Sequence, residues 1–114
     1  MNLTDAQQRA IYEWLYEELK GKGWRLRKDP YWNQQHGVVD AAWEVNGKLR
    51  LTKLPPLDMN TAFSEYIPKL KAEFRSVKWD GETWTIYVPQ CYGEPVSWKN
   101  TDFYAALLQY LGVK

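Results

Sequence analysis

Five cations, Lys20, Lys22, Arg25, Arg27 and Lys28, fall within nine residues that contain no acid. The stretch that follows, Tyr31 to Gly37 (YWNQQHG), has no hydrophobic period and is rich in aromatic and amide side chains. Arg25, Arg27, Tyr31, Trp32 and His36 therefore share one strand-and-loop segment, and Arg50 and Lys53 are expected as their neighbours across a sheet. Guanidinium and ammonium groups pair with anionic oxygens, while Trp and Tyr stack on flat rings. That mixture suits a small nucleotide-like anion, a nucleic-acid strand or the anchor residues of a protein interface. Trp98, in a second stretch without period, completes the expected ligand- or partner-binding set.

Catalytic combinations are sparse. Cys91 and His36 are the single cysteine and the single histidine, and a thiolate nucleophile needs an imidazole or another cation beside it. One cysteine excludes an intramolecular disulfide framework, and together with one histidine it excludes zinc sites built from those ligands. Asp40 on its predicted strand reads as the cross-strand partner of a basic residue. No glycine-rich phosphate loop, HExxH or GxSxG pattern is present. The expectation is a binding protein without enzymatic activity, metal or cofactor.

At 114 residues the chain has the length of a single domain spanning 1–114. Its 7 Trp and 8 Tyr supply rigid contact area with a polar tip, useful in a small core and on a binding face alike. The formal charge of +1 conceals an uneven distribution, since residues 20–78 carry 12 basic and 6 acidic groups while both ends are acidic. Such asymmetry favours an anionic partner. No apolar run is long enough to cross a membrane and the first residues carry helix signals, so a soluble protein of the cytoplasm is expected.

The elements that must position these residues follow from periodicity. Leu3 to Lys20 reads as a helix, with capping-box spacing at Thr4 and Gln7 and apolar residues Ile11, Trp14, Leu15 and Leu19 on one face. Trp24 and Leu26 alternate with Arg25 and Arg27 in a short strand. Val38 to Val45 and Leu49 to Lys53 form a hairpin around Asn46-Gly47. A three-residue loop there pairs Val45 with Leu49 and Trp43 with Leu51, so Val39, Ala41, Trp43, Val45, Leu49 and Leu51 are expected on the buried face.

A second helix, capped by Asp58 or Asn60, carries Phe63, Tyr66, Ile67, Leu70 and Phe74, and Pro68 should loosen it near Ser64 to Tyr66. A second hairpin turns at Asp80-Gly81 with Val77, Trp79, Trp84, Ile86 and Val88 on one face. Gln90 to Lys99 reads as a loop, and a last helix buries Phe103, Ala106, Leu107, Tyr110 and Leu111 before Gly112. Burial is expected for Trp14, Trp43, Trp79 and Trp84. The order is α-β-β-β-α-β-β-α, an α+β sandwich of three helices and one mostly antiparallel five-stranded sheet.

Residues 54–112, with LPPLDMN opening an aromatic helix, then a Trp-bearing hairpin, then TDFYAALLQYLG, resemble small phage proteins described as α/β/α sandwiches. The resemblance implies a phage-type accessory role and carries over no catalytic residue. Residues 37–53 (GVVDAAWEVNGKLRLTK) are similar to the two-strand core of PD-(D/E)xK nucleases, with Asp40 and Lys53 in matching positions. The second acid is missing, because Leu51 stands two residues before Lys53, and the Mg²⁺ site is incomplete. The expected function is that of an accessory protein which binds a host protein or sequesters a small anionic ligand to blunt a bacterial defence. The alternative is a nucleic-acid-binding module with a degenerate nuclease-like core. A C2 homodimer is the default form of any self-association.

Overall fold

The computed structural model describes residues 3–27, 39–89 and 96–113. In chain order these form helix α1 (Asp5–Leu15), a 3-10 turn (Glu17–Leu19) and strands β1 (Arg25–Arg27), β2 (Val39–Val45) and β3 (Lys48–Leu54). Helix α2 (residues 59–72), strands β4 (Ser76–Trp79), β5 (Trp84–Tyr87) and β6 (Ser97–Asn100), and helix α3 (Phe103–Leu111) follow. The class is α+β with three helices, but the expected five-stranded sheet is not formed. Two separate three-stranded antiparallel sheets take its place, ordered β1-β2-β3 and β4-β5-β6. The missed element is β6, which lies in the stretch read as a loop and pairs along β5. Each hairpin thus draws its third strand from its own half of the chain, and the halves form two compact units, Thr4–Leu57 and one containing Asp58–Lys114.

In the first unit the capping box is made as spaced: the Thr4 amide donates to Gln7 Oε1 at 2.9 Å and the Gln7 amide to Thr4 Oγ1 at 3.1 Å. Helix α1 ends at Leu15, short of the expected Lys20, because Tyr16 takes extended angles (φ −120°, ψ 92°) and the chain restarts as the 3-10 turn. In a continuous helix Glu17 and Glu18 would lie against the negative end of the dipole. After the break they occupy the first turn of a new one, where acids are favoured. The core consists of Tyr12, Leu19, Trp24, Ala41 and Leu54, with Tyr16, Leu26, Trp43 and Leu57 packed around it. Trp24 joins helix to sheet: its indole N–H donates to Glu13 at 2.8 Å, and the Arg9 guanidinium lies 5.2 Å from its ring centroid. The Tyr12 hydroxyl donates to the Pro55 carbonyl at 2.8 Å.

The β2–β3 register differs from the expected one. Val45 lies opposite Lys48, Trp43 opposite Arg50 and Val39 opposite Leu54, around a two-residue turn in which Asn46 (φ 52°) and Gly47 (φ 75°) are both left-handed. The expected loop would have set Lys53 opposite Ala41, on the core side. The observed register sends Lys53 outward and buries Leu54 at the core end of the hairpin, leaving Val45, Leu49 and Leu51 exposed near its tip. Burial counts where the hairpin meets the core, so the fit of Leu54 outweighs the loss of alternation at the far end.

In the second unit Asp58 caps α2, its Oδ1 accepting from the Thr61 amide at 2.7 Å. The helix opens as Met59–Thr61, widens to a π segment at Ala62–Tyr66 and continues as Ile67–Ala72. Pro68 offers no amide to the carbonyl of Ser64, and the wider turn absorbs the defect. Of the expected apolar face Tyr66, Ile67 and Leu70 are buried, whereas Phe63 and Phe74 are exposed. The π segment shifts the phase at Phe63, and Phe74 lies beyond the last helical turn. Trp79, expected inside, is also exposed, because it ends β4 beside the hairpin turn, where its ring meets that of Trp84 at 5.1 Å. Trp14 is buried, and Trp43 and Trp84 are half-buried. Asp102 caps α3 through the Tyr104 and Ala105 amides, and Tyr104 donates its hydroxyl to the Asp58 carbonyl, tying α3 to the start of α2.

Backbone geometry predicts opposite effects at two positions. Gly47→Ala puts a Cβ on a left-handed residue and should destabilise by about 1 kcal/mol. Phe74→Gly relieves the same strain at φ 60° with little packing lost and should stabilise by about 1 kcal/mol; urea titration of both variants reads the two signs. Asp80 accepts hydrogen bonds from the Thr83 and Glu82 amides and the Thr83 hydroxyl, which lower its pKa from 3.8 to about 2. A lowered folded-state pKa stabilises above the unfolded value and is lost as pH falls through the folded one. Thermal melts of Asp80→Asn should therefore depend less on pH than the parent between about pH 4 and 2.

Candidate functional site

Residues directly opposite in an antiparallel ladder share a face. Arg27, Asp40 and Lys53 thus form one row across the first sheet, Arg25, Ala42 and Leu51 a second, and Glu44 with Leu49 a third. This is the side away from Leu26, Ala41 and Leu54, which belong to the core or pack on it. Arg25, Arg27, Lys53, Glu44, Leu49 and Leu51 are exposed, Asp40 is half-buried and Ala42 is buried. The face therefore presents three cations around one acid at the core end of the hairpin, grading into two exposed leucines and Glu44 towards its tip.

Of the expected binding residues the structure gathers Arg25, Arg27 and Lys53. Arg50 is separated from them, since it lies opposite Trp43 on the other side of the same sheet. Trp98 belongs to the second unit, where it is half-buried in β6 in register with Ile86 and meets the Tyr110 ring edge-on at 4.9 Å. Tyr31, Trp32, His36 and Cys91 lie outside the described residues. Sequence alternation places Leu49 and Leu51 in the core, whereas the observed register sets them on the cationic face. Their place on the cationic face could have been found from Asn46-Gly47, the strongest short hairpin signal, weighed with the order Lys53-Leu54.

Asp40 stands between Arg27 and Lys53 in the ladder, so its ordinary role is electrostatic balance within the sheet. The arginines of β1 and the lysines of β3, the two outer strands of the sheet, also discourage indiscriminate strand pairing. Among the described residues no three His, Cys, Asp or Glu side chains are grouped so as to hold a metal ion. No described helix is long and apolar enough to cross a membrane. Comparison with protein-family models, curated proteins and solved structures found no match.

Proposed function

We propose that the chain is a non-enzymatic binding protein whose outer β1-β2-β3 face docks an acidic surface of another protein. The observation that supports this is the convergence of exposed Arg25, Arg27 and Lys53 on one face beside exposed Leu49 and Leu51. Arginine with apolar neighbours is the composition of interface anchors. Small ligands are generally taken by concave sites, and a sheet face offers a broad surface instead. Nucleic-acid surfaces are more uniformly basic, whereas this one includes Asp40, Glu44 and two leucines. The resemblance of residues 54–112 to phage proteins supports a partner from a bacterial host, with the blunting of a defence as the outcome.

The test compares capture from nuclease-treated bacterial lysate by the parent chain, by Arg25→Ala/Arg27→Ala/Lys53→Ala and by Leu49→Ser/Leu51→Ser. A partner identified by mass spectrometry should be lost with both variants, each weakening binding at least about tenfold when measured with the purified partner. Capture unaffected by either variant overturns the reading. Capture that is seen only from a parallel lysate left without nuclease, depends on the cations alone and falls steeply with salt would assign the face to nucleic acid.

A further inference from the structure

A second site, independent of the first sheet, lies where α2 ends. The helix closes in a Schellman motif: the Arg75 amide donates to the Leu70 carbonyl at 2.9 Å and the Phe74 amide to the Lys71 carbonyl at 3.0 Å. Helix α3 closes in the same way, with Val113 on Leu108 at 2.9 Å and Gly112 on Gln109 at 3.1 Å. The motif requires a left-handed residue between helix and exit. At the end of α3 this is Gly112 (φ 73°), and at the end of α2 it is Phe74 (φ 60°), 80% exposed. A bulky side chain is strained there, and this one gains no burial in return. Core packing accounts for neither the residue type nor its position.

The Phe74 ring borders an open groove of about 630 Å³, lined also by Lys71, Arg75, Ser76, Val88 and Pro89. That size falls within the usual range of small-molecule sites. Val88 and Pro89 provide apolar walls, and Lys71 and Arg75 bring two cations. The Arg75 guanidinium is held incompletely. Its Nη1 donates to the Glu73 and Phe74 carbonyls at 3.2 and 3.3 Å, its centre lies 5.9 Å from the Tyr110 ring centroid, and its Nε is buried with no hydrogen-bond partner among the described residues. A buried donor without a partner is costly, and more so on a charged group. The guanidinium is held by these Nη1 bonds and by the neighbouring Tyr110 hydroxyl, which also donates to Glu73, and a carboxylate entering the groove would compete for it with the paired N–H geometry that guanidinium offers two oxygens.

We propose that this groove binds an organic carboxylate, its apolar or aromatic body against Phe74, Val88 and Pro89 and its anionic head on Arg75 and Lys71. The probe is 3-phenylpropionate, titrated into isotopically labelled protein while the Arg75 Nε–Hε resonance is followed by NMR, with 3-phenylpropionamide as the uncharged control. A saturable shift at Arg75 and at the Val88 amide is expected, with the amide analogue binding at least tenfold more weakly. Phe74→Gly retains a residue suited to the cap and should bind the acid about tenfold more weakly while melting at a higher temperature, which separates loss of the ring from loss of the fold. Arg75→Lys keeps the charge and should also lose most of the affinity. The absence of a saturable shift, equal binding of acid and amide, or unchanged binding by Phe74→Gly would each overturn the proposal.

Discussion

The two-residue turn at Asn46-Gly47 determines which side chains the first sheet carries on its outer face. Because side chains alternate along a strand, shifting β3 by one residue would exchange all its faces. Lys53 would then point to the core, Leu54 to solvent, and the three-cation cluster would not exist. The turn is available because Asn and Gly tolerate the left-handed angles it requires. It persists because Leu54 completes a core with Tyr12, Leu19, Trp24 and Ala41.

Each unit is held together by aromatic residues that also carry a polar bond. Trp24 buries its indole while donating to Glu13, and Tyr12 does the same towards Pro55. In the second unit Tyr104 is packed edge-on against Tyr66 at 5.5 Å and donates to Asp58, while Trp84 meets Phe103 at 5.4 Å. An aromatic ring with one hydrogen bond supplies both area and orientation, an efficient use of few residues in a small core. The aromatic content of the described residues is thus largely structural. Among the described residues Phe63, Phe74 and Trp79 are exposed, where a π segment, a helix cap and a hairpin end move them off the regular period.

The two helix ends meet the same backbone demand in different ways. One backbone motif closes α2 and α3, and glycine satisfies it at α3 without strain. Phenylalanine at the other end holds a ring beside two cations and an unmatched guanidinium N–H. Local conflict of this kind, a residue contrary to its backbone preference next to an unsatisfied polar group, is characteristic of binding sites.

What the sequence by itself determined was local. The capping box at Thr4, the cap at Asp58, the loosening of α2 by Pro68, the shared face of Val77, Trp79, Trp84 and Ile86 and the glycine stop of α3 all depend on residues a few positions apart, and each formed as its spacing dictates. The alternation of Arg25 and Arg27 with Leu26 likewise marked a cationic face before any partner strand was known. Tertiary structure decided the rest, because the competing terms were non-local. The β2–β3 register was settled by Leu54 reaching a core built partly from α1, and β6 became a strand because β5 offered it an open edge. The division into two sheets followed from those pairings. The groove at Phe74 was invisible to periodicity, which assigns an aromatic residue at the end of a helix to its buried face; only the folded backbone shows that the helix has already ended.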